Sequence, residues 1–251
     1  PDKGSELGFD VDAAKLFDGT TRIDMEALQS VKFDREDARM LAENLKIQYD
    51  IVNIQSVVDK FEQELSPLFK GTSLDVTEEN IQARARGVYV MAISNKFGYI
   101  LLNTTNKSES AVGYGTLYGD MNGGIAVLGD VYKMEVYRLS RFMNKDGEVI
   151  PENTIVKPPS AELRPDQKDQ DSLPPYDVLD DILECLIEKE MRVDDIVKRG
   201  HDVETVARIQ HLLYIAEYKR RQAPPGVKIT EKNFGRDRRY PITNGYRDKN
   251  T

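Results

Sequence analysis

The 251-residue sequence has one cysteine, two histidines, no tryptophan and no long apolar run. A single thiol, Cys185, excludes an internal disulfide framework, and one Cys with two His leaves too few ligands for a structural zinc site. No apolar stretch approaches the roughly 20 residues that a membrane helix needs, and no signal-peptide pattern opens the sequence. The expectations are no membrane partner and a reducing, cytoplasmic setting. Basic residues are outnumbered, 35 Lys and Arg against 43 Asp and Glu. That balance argues against nucleic acid as a general partner, although the C-terminal end is locally basic. What is present, 39% hydrophobic and 31% charged residues, suits a globular chain with one full core, or one domain with a helical annex. Pro1 in place of an initiating Met points to a processed chain or to part of a longer one.

Residues 1–32 carry little pattern and are left unassigned; Gly4, Gly8, Asp10, Asp18 and Gly19 punctuate short apolar pieces. From there the spacing predicts a helix over 34–45, capped by Asp34, with Ala38, Leu41, Ala42 and Leu45 on one face. Alternation predicts a strand over 49–54. A helix over 57–69 follows, with Val58, Phe61, Leu65 and Leu68 inward, then a connection over 74–78. A long helix over 80–96 carries Ile81, Ala85, Val88, Met91 and Ala92 inward and ends at Gly98. Residues 99–103 are a short apolar run bounded by turn signals, which suits a buried parallel strand. This order predicts an α/β fold, a parallel sheet with helices on both faces. After Gly147 the character changes. Two proline pairs, Pro158-Pro159 and Pro174-Pro175, bracket a polar loop. Helices are then expected over 178–189, 193–199 and 203–221, so the C-terminal segment is helical from about 176.

Chemistry concentrates after the 99–103 run, in Asn103-Thr104-Thr105-Asn106-Lys107-Ser108-Glu109. In open α/β sheets ligands bind beyond the carboxyl ends of strands, and hydroxyls, an amide, an ammonium and a carboxylate there suit a nucleotide and a metal. The same residues also suit a capped helix start, with Thr105, Ser108 and Glu109 satisfying free N–H groups. Both readings stay open. Next comes a loop with five glycines in the twelve residues 113–124, which lets backbone approach a ligand, or is a plain surface loop. Lys133, near an expected helix start, is placed to meet a phosphate or else solvent. The basic C-terminal residues are read as an exposed charged end, His201 as a turn residue, and Cys185 as a buried small side chain.

At this point the motifs resemble a known family, NAD synthetase. The resemblance is carried by Thr77-Glu78-Glu79-Asn80-Ile81-Gln82-Ala83-Arg84-Ala85-Arg86, Ser94-Asn95-Lys96-Phe97-Gly98, Thr105-Asn106-Lys107-Ser108-Glu109 and Tyr118-Gly119-Asp120-Met121-Asn122-Gly123-Gly124. Pro158-Pro159-Ser160-Ala161-Glu162-Leu163, Asp169-Gln170-Asp171-Ser172-Leu173-Pro174-Pro175-Tyr176 and the segment from Lys219 to Lys228 extend it. The likeness spans 33–242 and implies a synthetase domain over 33–251 of the ATP-pyrophosphatase type. Its Pro-Pro-Gly-Val-Lys ending is similar to the glutamine-dependent branch, in which a glutaminase domain precedes the synthetase in one longer chain.

The resemblance implies a ligase reaction in two steps. The carboxylate of deamido-NAD attacks the α-phosphate of ATP, giving an acyl-adenylate and pyrophosphate; ammonia, free or from glutamine, then displaces AMP. Magnesium (Mg2+) would serve as cofactor. By position, Thr104, Lys133 and Ser160 would bind ATP, and Glu109 would ligate the metal or meet the dinucleotide. Asn80, Arg84, Tyr114, Gly115, Thr116, Leu117, Lys219 and Lys228 would bind deamido-NAD. A homo-oligomer assembled with help from the 80–96 helix is also implied.

One element of the family pattern is missing. No Ser-Gly-Gly-x-Asp-Ser occurs, the loop whose N–H groups cradle pyrophosphate and whose Asp helps hold the metal. Three readings stand: residues are missing between Asp18 and Phe33, which would leave successive Cα atoms well beyond 3.8 Å apart there; the chain is shortened; or it is a homologue that binds nucleotide without catalysis. An amidotransferase of GMP-synthetase type and a non-catalytic oligomerisation or nucleotide-sensing module are the alternatives in function.

Overall fold

The computed structural model describes residues 21–26, 32–160, 163 and 168–246. The Cα spacing asked of 18–33 falls largely on residues outside that set. Thr21–Glu26 forms strand β1, where the sequence reading expected no element. Helix α1, Lys32–Leu45, starts two residues ahead of the expected Asp34 cap and leads to β2, Gln48–Asn53. The two strands pair in parallel along their full length, from Thr21↔Gln48 to Glu26↔Asn53, so the three elements make one βαβ unit.

Two helices follow, α2 over Gln55–Leu65 and α3 over Val76–Phe97. The second begins four residues earlier than expected, because Asp75 and Glu78 form a capping box. Asp75 accepts from the Thr77 N–H at 2.7 Å, and Glu78 accepts from the Asp75 N–H at 2.9 Å. The inward faces expected of these helices are only half realised. Ile54, Val58 and Ala85 form a small core, while Phe61 on α2 and Val88 on α3 are exposed, as is Leu68, which lies beyond the end of α2.

Strand β3 covers only Leu102–Asn103. Its expected first residue is claimed by the preceding helix end: Gly98 turns at φ 71°, the Tyr99 N–H bonds Ser94 O at 3.0 Å, and the Ser94 hydroxyl bonds Tyr99 O at 2.6 Å. It pairs in parallel with β4, Ile125–Ala126, and Ala126 bridges onward to Gly226. Between them lie helix α4, Lys107–Val112, and the glycine-rich loop. Beyond β4 come α5 (Lys133–Met143), α6 (Glu152–Val156), a short 3-10 turn at Asp169–Asp171, α7 (Tyr176–Ile187), α8 (Val193–Lys198), α9 (Val203–Ile215) and α10 (Glu217–Arg220). The helix expected over 203–221 breaks at Ala216, where the Arg220 guanidinium folds back onto Leu213 O at 2.6 Å and satisfies a carbonyl of the last turn.

The main core lies in this helical part. Leu179, Ile182, Leu183, Leu186 and Ile187 recur at helical spacing on α7 and meet Val193 and Ile196 of α8 and Val206, Ile209 and Leu213 of α9. Each fully buried side chain of this size contributes about 1.5–3 kcal/mol. Ala111 and Val112 of α4 join the same cluster, so the short helix after β3 is anchored on a rigid block.

The glycine-rich loop docks on α3 at close range. A Cβ on Gly119 would stand 3.0 Å from both the carbonyl carbon and the Cβ of Ala83. Gly119→Ala is expected to cost about 1–3 kcal/mol, because helix backbone cannot yield as a side chain can. Thermal unfolding checks this; an unchanged Tm would mean that the loop does not rest on the helix.

Candidate active site

The turn after β3 is built from the backbone outward. Asn103 is buried, and its amide donates to Asp120 O at 2.8 Å and Asn122 O at 2.9 Å while its oxygen accepts from the Thr105 N–H at 3.0 Å. One side chain thus ties the strand end to both the turn and the glycine-rich loop. Asn106 caps α4 by accepting from the Glu109 N–H at 2.9 Å. Thr105 does not cap the helix; its hydroxyl faces Glu109 at 3.4 Å.

Two groups read as ligand-facing turn inward instead. Lys107 is fully buried, and its ammonium meets Glu188 and Thr230 at 2.5 Å, Asp130 at 2.9 Å and Lys232 O at 3.1 Å. Asp130 accepts from the Ile229 and Thr230 N–H groups at 2.8 and 2.7 Å. Burial pushes its carboxyl up, but Lys107 and these donors outweigh that and hold it below the usual range. Ser108 is also buried, donating to Asp180 and accepting from the Lys133 N–H at 2.8 Å. Asp180 accepts from the Met134 N–H at 2.8 Å. Helix α5, which has no cap of its own, is therefore capped by α4 and α7, and its first two N–H groups are taken.

That capping aims Lys133 back at Glu109. The ammonium lies 3.2 Å from Glu109 Oε1, over the rings of Tyr176 at 5.3 Å and Tyr137 at 5.9 Å. Burial acts against the ammonium, yet the Glu109 carboxylate prevails and lifts Lys133 above its usual value. Thr104 follows β3 directly and is exposed, two residues from Asn106. The structure brings Glu109 and Lys133 together beyond the strand's end, and Thr104 stands in the same turn with no contact to either. Ser160 is half-buried beside Pro159, whose carbonyl accepts from the Asp169 N–H at 3.0 Å.

The residues assigned to the dinucleotide largely hold the glycine-rich loop. Asn80 accepts from the buried Thr116 hydroxyl at 2.8 Å, and exposed Arg84 donates to Leu117 O at 3.2 Å. Lys219 donates to Gly113 O at 2.8 Å and Gly115 O at 2.6 Å; burial lowers its pKa, with Asp120 opposing. Tyr114 is half-buried, and burial, then the Asp169 charge, push its phenol up. Lys228 is exposed and paired with Asp237 at 2.7 Å. Two residues near the pair escaped the sequence reading. Asp180 carries no local signal, whereas Asp169 lies within a motif that had been noted. Among the described residues, no group of three or more metal-ligating side chains occurs, and no helix is long and apolar enough to cross a membrane.

Parallel strands with a polar turn at the carboxyl end of one of them, and a lysine–carboxylate pair above it, define an α/β protein with a candidate ligand site at a strand end. The chain belongs to the NAD synthase family, whose sequence model matches residues 15–223. It is 50% identical over 226 residues to the glutamine-dependent NAD(+) synthetase of Thermotoga maritima, covering 89% of this chain and 39% of that protein. To the glutamine-dependent NAD(+) synthetase of Acinetobacter baylyi it is 53% identical over 214 residues, 84% of this chain and 40% of the other. Among solved structures, that of glutamine-dependent NAD+ synthetase from Acinetobacter baumannii in complex with ADP superposes with a TM-score of 0.53 at 43% identity, over 91% of this chain and 41% of that one. The chain spans about two fifths of the length of these relatives.

Proposed function

We propose that the chain is the synthetase part of an ATP-dependent ligase that converts deamido-NAD to NAD through an acyl-adenylate, releasing pyrophosphate and AMP. The observation that carries this reading is the Glu109–Lys133 pair, 3.2 Å apart at the carboxyl end of β3. Two anions must meet in this reaction, and a half-buried lysine kept charged by its neighbour supplies fixed positive charge for the triphosphate. Thr104 supplies a hydroxyl to ATP from the strand end, and Ser160 a second from the segment that Asp169 anchors. Asn80, Arg84 and Lys219 shape the loop carrying Tyr114, Gly115, Thr116 and Leu117, which receives the dinucleotide; Lys228 covers it from the C-terminal side.

Magnesium is held in such sites by one or two carboxylates together with substrate phosphates, so a single Glu109 carboxylate fits it. When bound, the ion neutralises phosphate charge. The nitrogen comes as ammonia, free or released from glutamine by a glutaminase domain of the same longer chain. The protein names of the relatives and their greater length support that reading. We place the protein in the cytoplasm, as a homo-oligomer whose subunits meet near α3, where Val88 is exposed.

A second reading rests on one observation: no Ser-Gly-Gly-x-Asp-Ser loop occurs in the 251 residues. On that reading the chain is a nucleotide-binding or oligomerisation module that does not adenylate. Exchange of labelled pyrophosphate into ATP, dependent on deamido-NAD, decides between them. Exchange is expected under the ligase reading; tight deamido-NAD binding without exchange would leave only the binding module.

A further inference from the structure

A cavity of about 130 Å³ lies where three parts of the chain meet, and it shares no residue with the strand-end site. The connection from α7 to α8 contributes Glu190 and Arg192, helix α9 contributes Gln210 and Tyr214, and the C-terminal segment contributes Arg238 and Tyr240. Its polar groups are firmly held. The Met191 N–H closes the end of α7 on Cys185 O at 2.9 Å, with Glu190 in the left-handed region at φ 51°. Glycine is favoured at such a position, because a Cβ is strained there. A glutamate stands there instead, and its carboxylate meets Lys232 at 2.7 Å and Arg238 at 2.8 Å. Arg238 also donates from Nε to the Tyr240 hydroxyl at 3.0 Å, with its guanidinium 4.9 Å from the centre of that ring. Fixed in this way, the guanidinium keeps Nη2 without a hydrogen-bond partner among the described residues.

The charged groups that line the cavity are Arg192, Arg238 and Glu190, and Lys232 bonds Glu190 beside it, so three cations stand against one carboxylate. The other polar groups are phenol hydroxyls and an amide, which can donate. A cation would be repelled, and an apolar ligand would strand these donors. The volume is well under the ~300 Å³ at which pockets for drug-sized ligands begin, so a whole nucleotide does not fit. A small anion with acceptors on several sides does. Guanidinium pairs with phosphate through parallel N–H bonds, and such charge-assisted bonds are roughly twice as strong as neutral ones. We propose that this cavity binds a single phosphate group through Arg192, Arg238 and Tyr214, and so ties the C-terminal segment to α9. That segment also carries Thr230 and Lys232, which meet Lys107, so occupancy steadies the compartment around the buried lysine. The proposal is independent of the amidation reading.

Equilibrium dialysis of the full chain against labelled inorganic phosphate, at an ionic strength held constant with chloride, tests this. Saturable uptake is expected, with a Tm that rises over the same range of phosphate. Arg192→Gln is expected to weaken the uptake at least about tenfold, as befits loss of a charge-assisted hydrogen bond. Arg238→Lys should do the same, because an ammonium cannot form the two-pronged pair. Lys133→Gln, at the strand-end site, should leave it unchanged. Arg192 is exposed, so the first variant decides the matter should the second fail to fold. Sulfate, which is tetrahedral, is expected to compete, and planar acetate is not. Glycerol phosphate separates the sources: competition equal to that of phosphate upholds a group carried on a larger molecule, and none upholds the free ion. Absence of saturable uptake, uptake that neither cavity variant weakens, uptake lost in Lys133→Gln alone, or equal competition by acetate would overturn the proposal.

Discussion

Replacing Lys107 by Met is expected to lower Tm by about 6–20 °C, the largest stability loss of any single change in the turn after β3. Breaking a buried ion pair by removing one member costs about 3–5 kcal/mol, and a chain of this size loses about 2–4 °C per kcal/mol. Met fills much of the space, so the loss would come from Asp130 and Glu188, left without the ammonium that both meet. The pH dependence gives the cause away. The folded state holds the Asp130 carboxyl below its ordinary value, with Lys107 a principal reason. Stability from that depression is therefore fully present above the unfolded carboxyl pKa and is lost as pH falls through the folded one. In Lys107→Met burial acts with less to oppose it, the carboxyl titrates higher, and acidification relieves the unpaired charge. The Tm gap between parent and variant should narrow from pH 7.5 to pH 5, and Asp130→Asn added to Lys107→Met should recover part of it. A gap that stays constant with pH would mean that packing, not charge, had been lost.

Glu109→Gln is expected to cut deamido-NAD amidation by about 10²–10³, in line with removal of one charged group aimed at the reacting phosphates. Gln keeps the shape of the side chain. It removes the carboxylate offered to magnesium and the charge that raises Lys133, whose burial would then draw its pKa down. In the parent protein a raised lysine stays charged below its folded pKa and loses its proton only as pH rises through that value. The alkaline limb of kcat/KM should accordingly move to lower pH in the variant. A loss of less than about fivefold, or an alkaline limb that does not move, would remove Glu109 from the centre of the site.

How much of this could be read beforehand follows from distance along the chain. Helix α7 was legible because Leu179, Ile182, Leu183 and Leu186 repeat at helical spacing. Strand β1 was overlooked although Thr-Arg-Ile-Asp-Met-Glu alternates, because six residues with two strong apolar members barely rise above their neighbours. The early start of α3 was written in Asp75 and Glu78, a capping box whose two members had been assigned to a connection. At the site, Glu109 stands in the turn that the sequence singles out, with its nearest helix-start partner, Asn106, only three residues before it. Lys107 was not. Its position in a polar turn suggests a ligand, whereas all its partners lie outside the turn, Glu188 and Lys232 81 and 125 residues away, and no local pattern signals a buried charge. Lys219 illustrates the same point: an ammonium fixed on the carbonyls of Gly113 and Gly115 shapes the loop, and only folding brings them together.

The Lys107 network also sets a timetable for biosynthesis. Thr230 follows the lysine by 123 positions, so at about 5–20 residues per second a ribosome would deliver its hydroxyl roughly 6–25 s after the lysine has emerged. During that interval the ammonium has no finished compartment to enter, and the turn after β3 cannot settle. The turn is therefore completed late in translation, and polypeptides released before Thr230 would be targets for proteolysis.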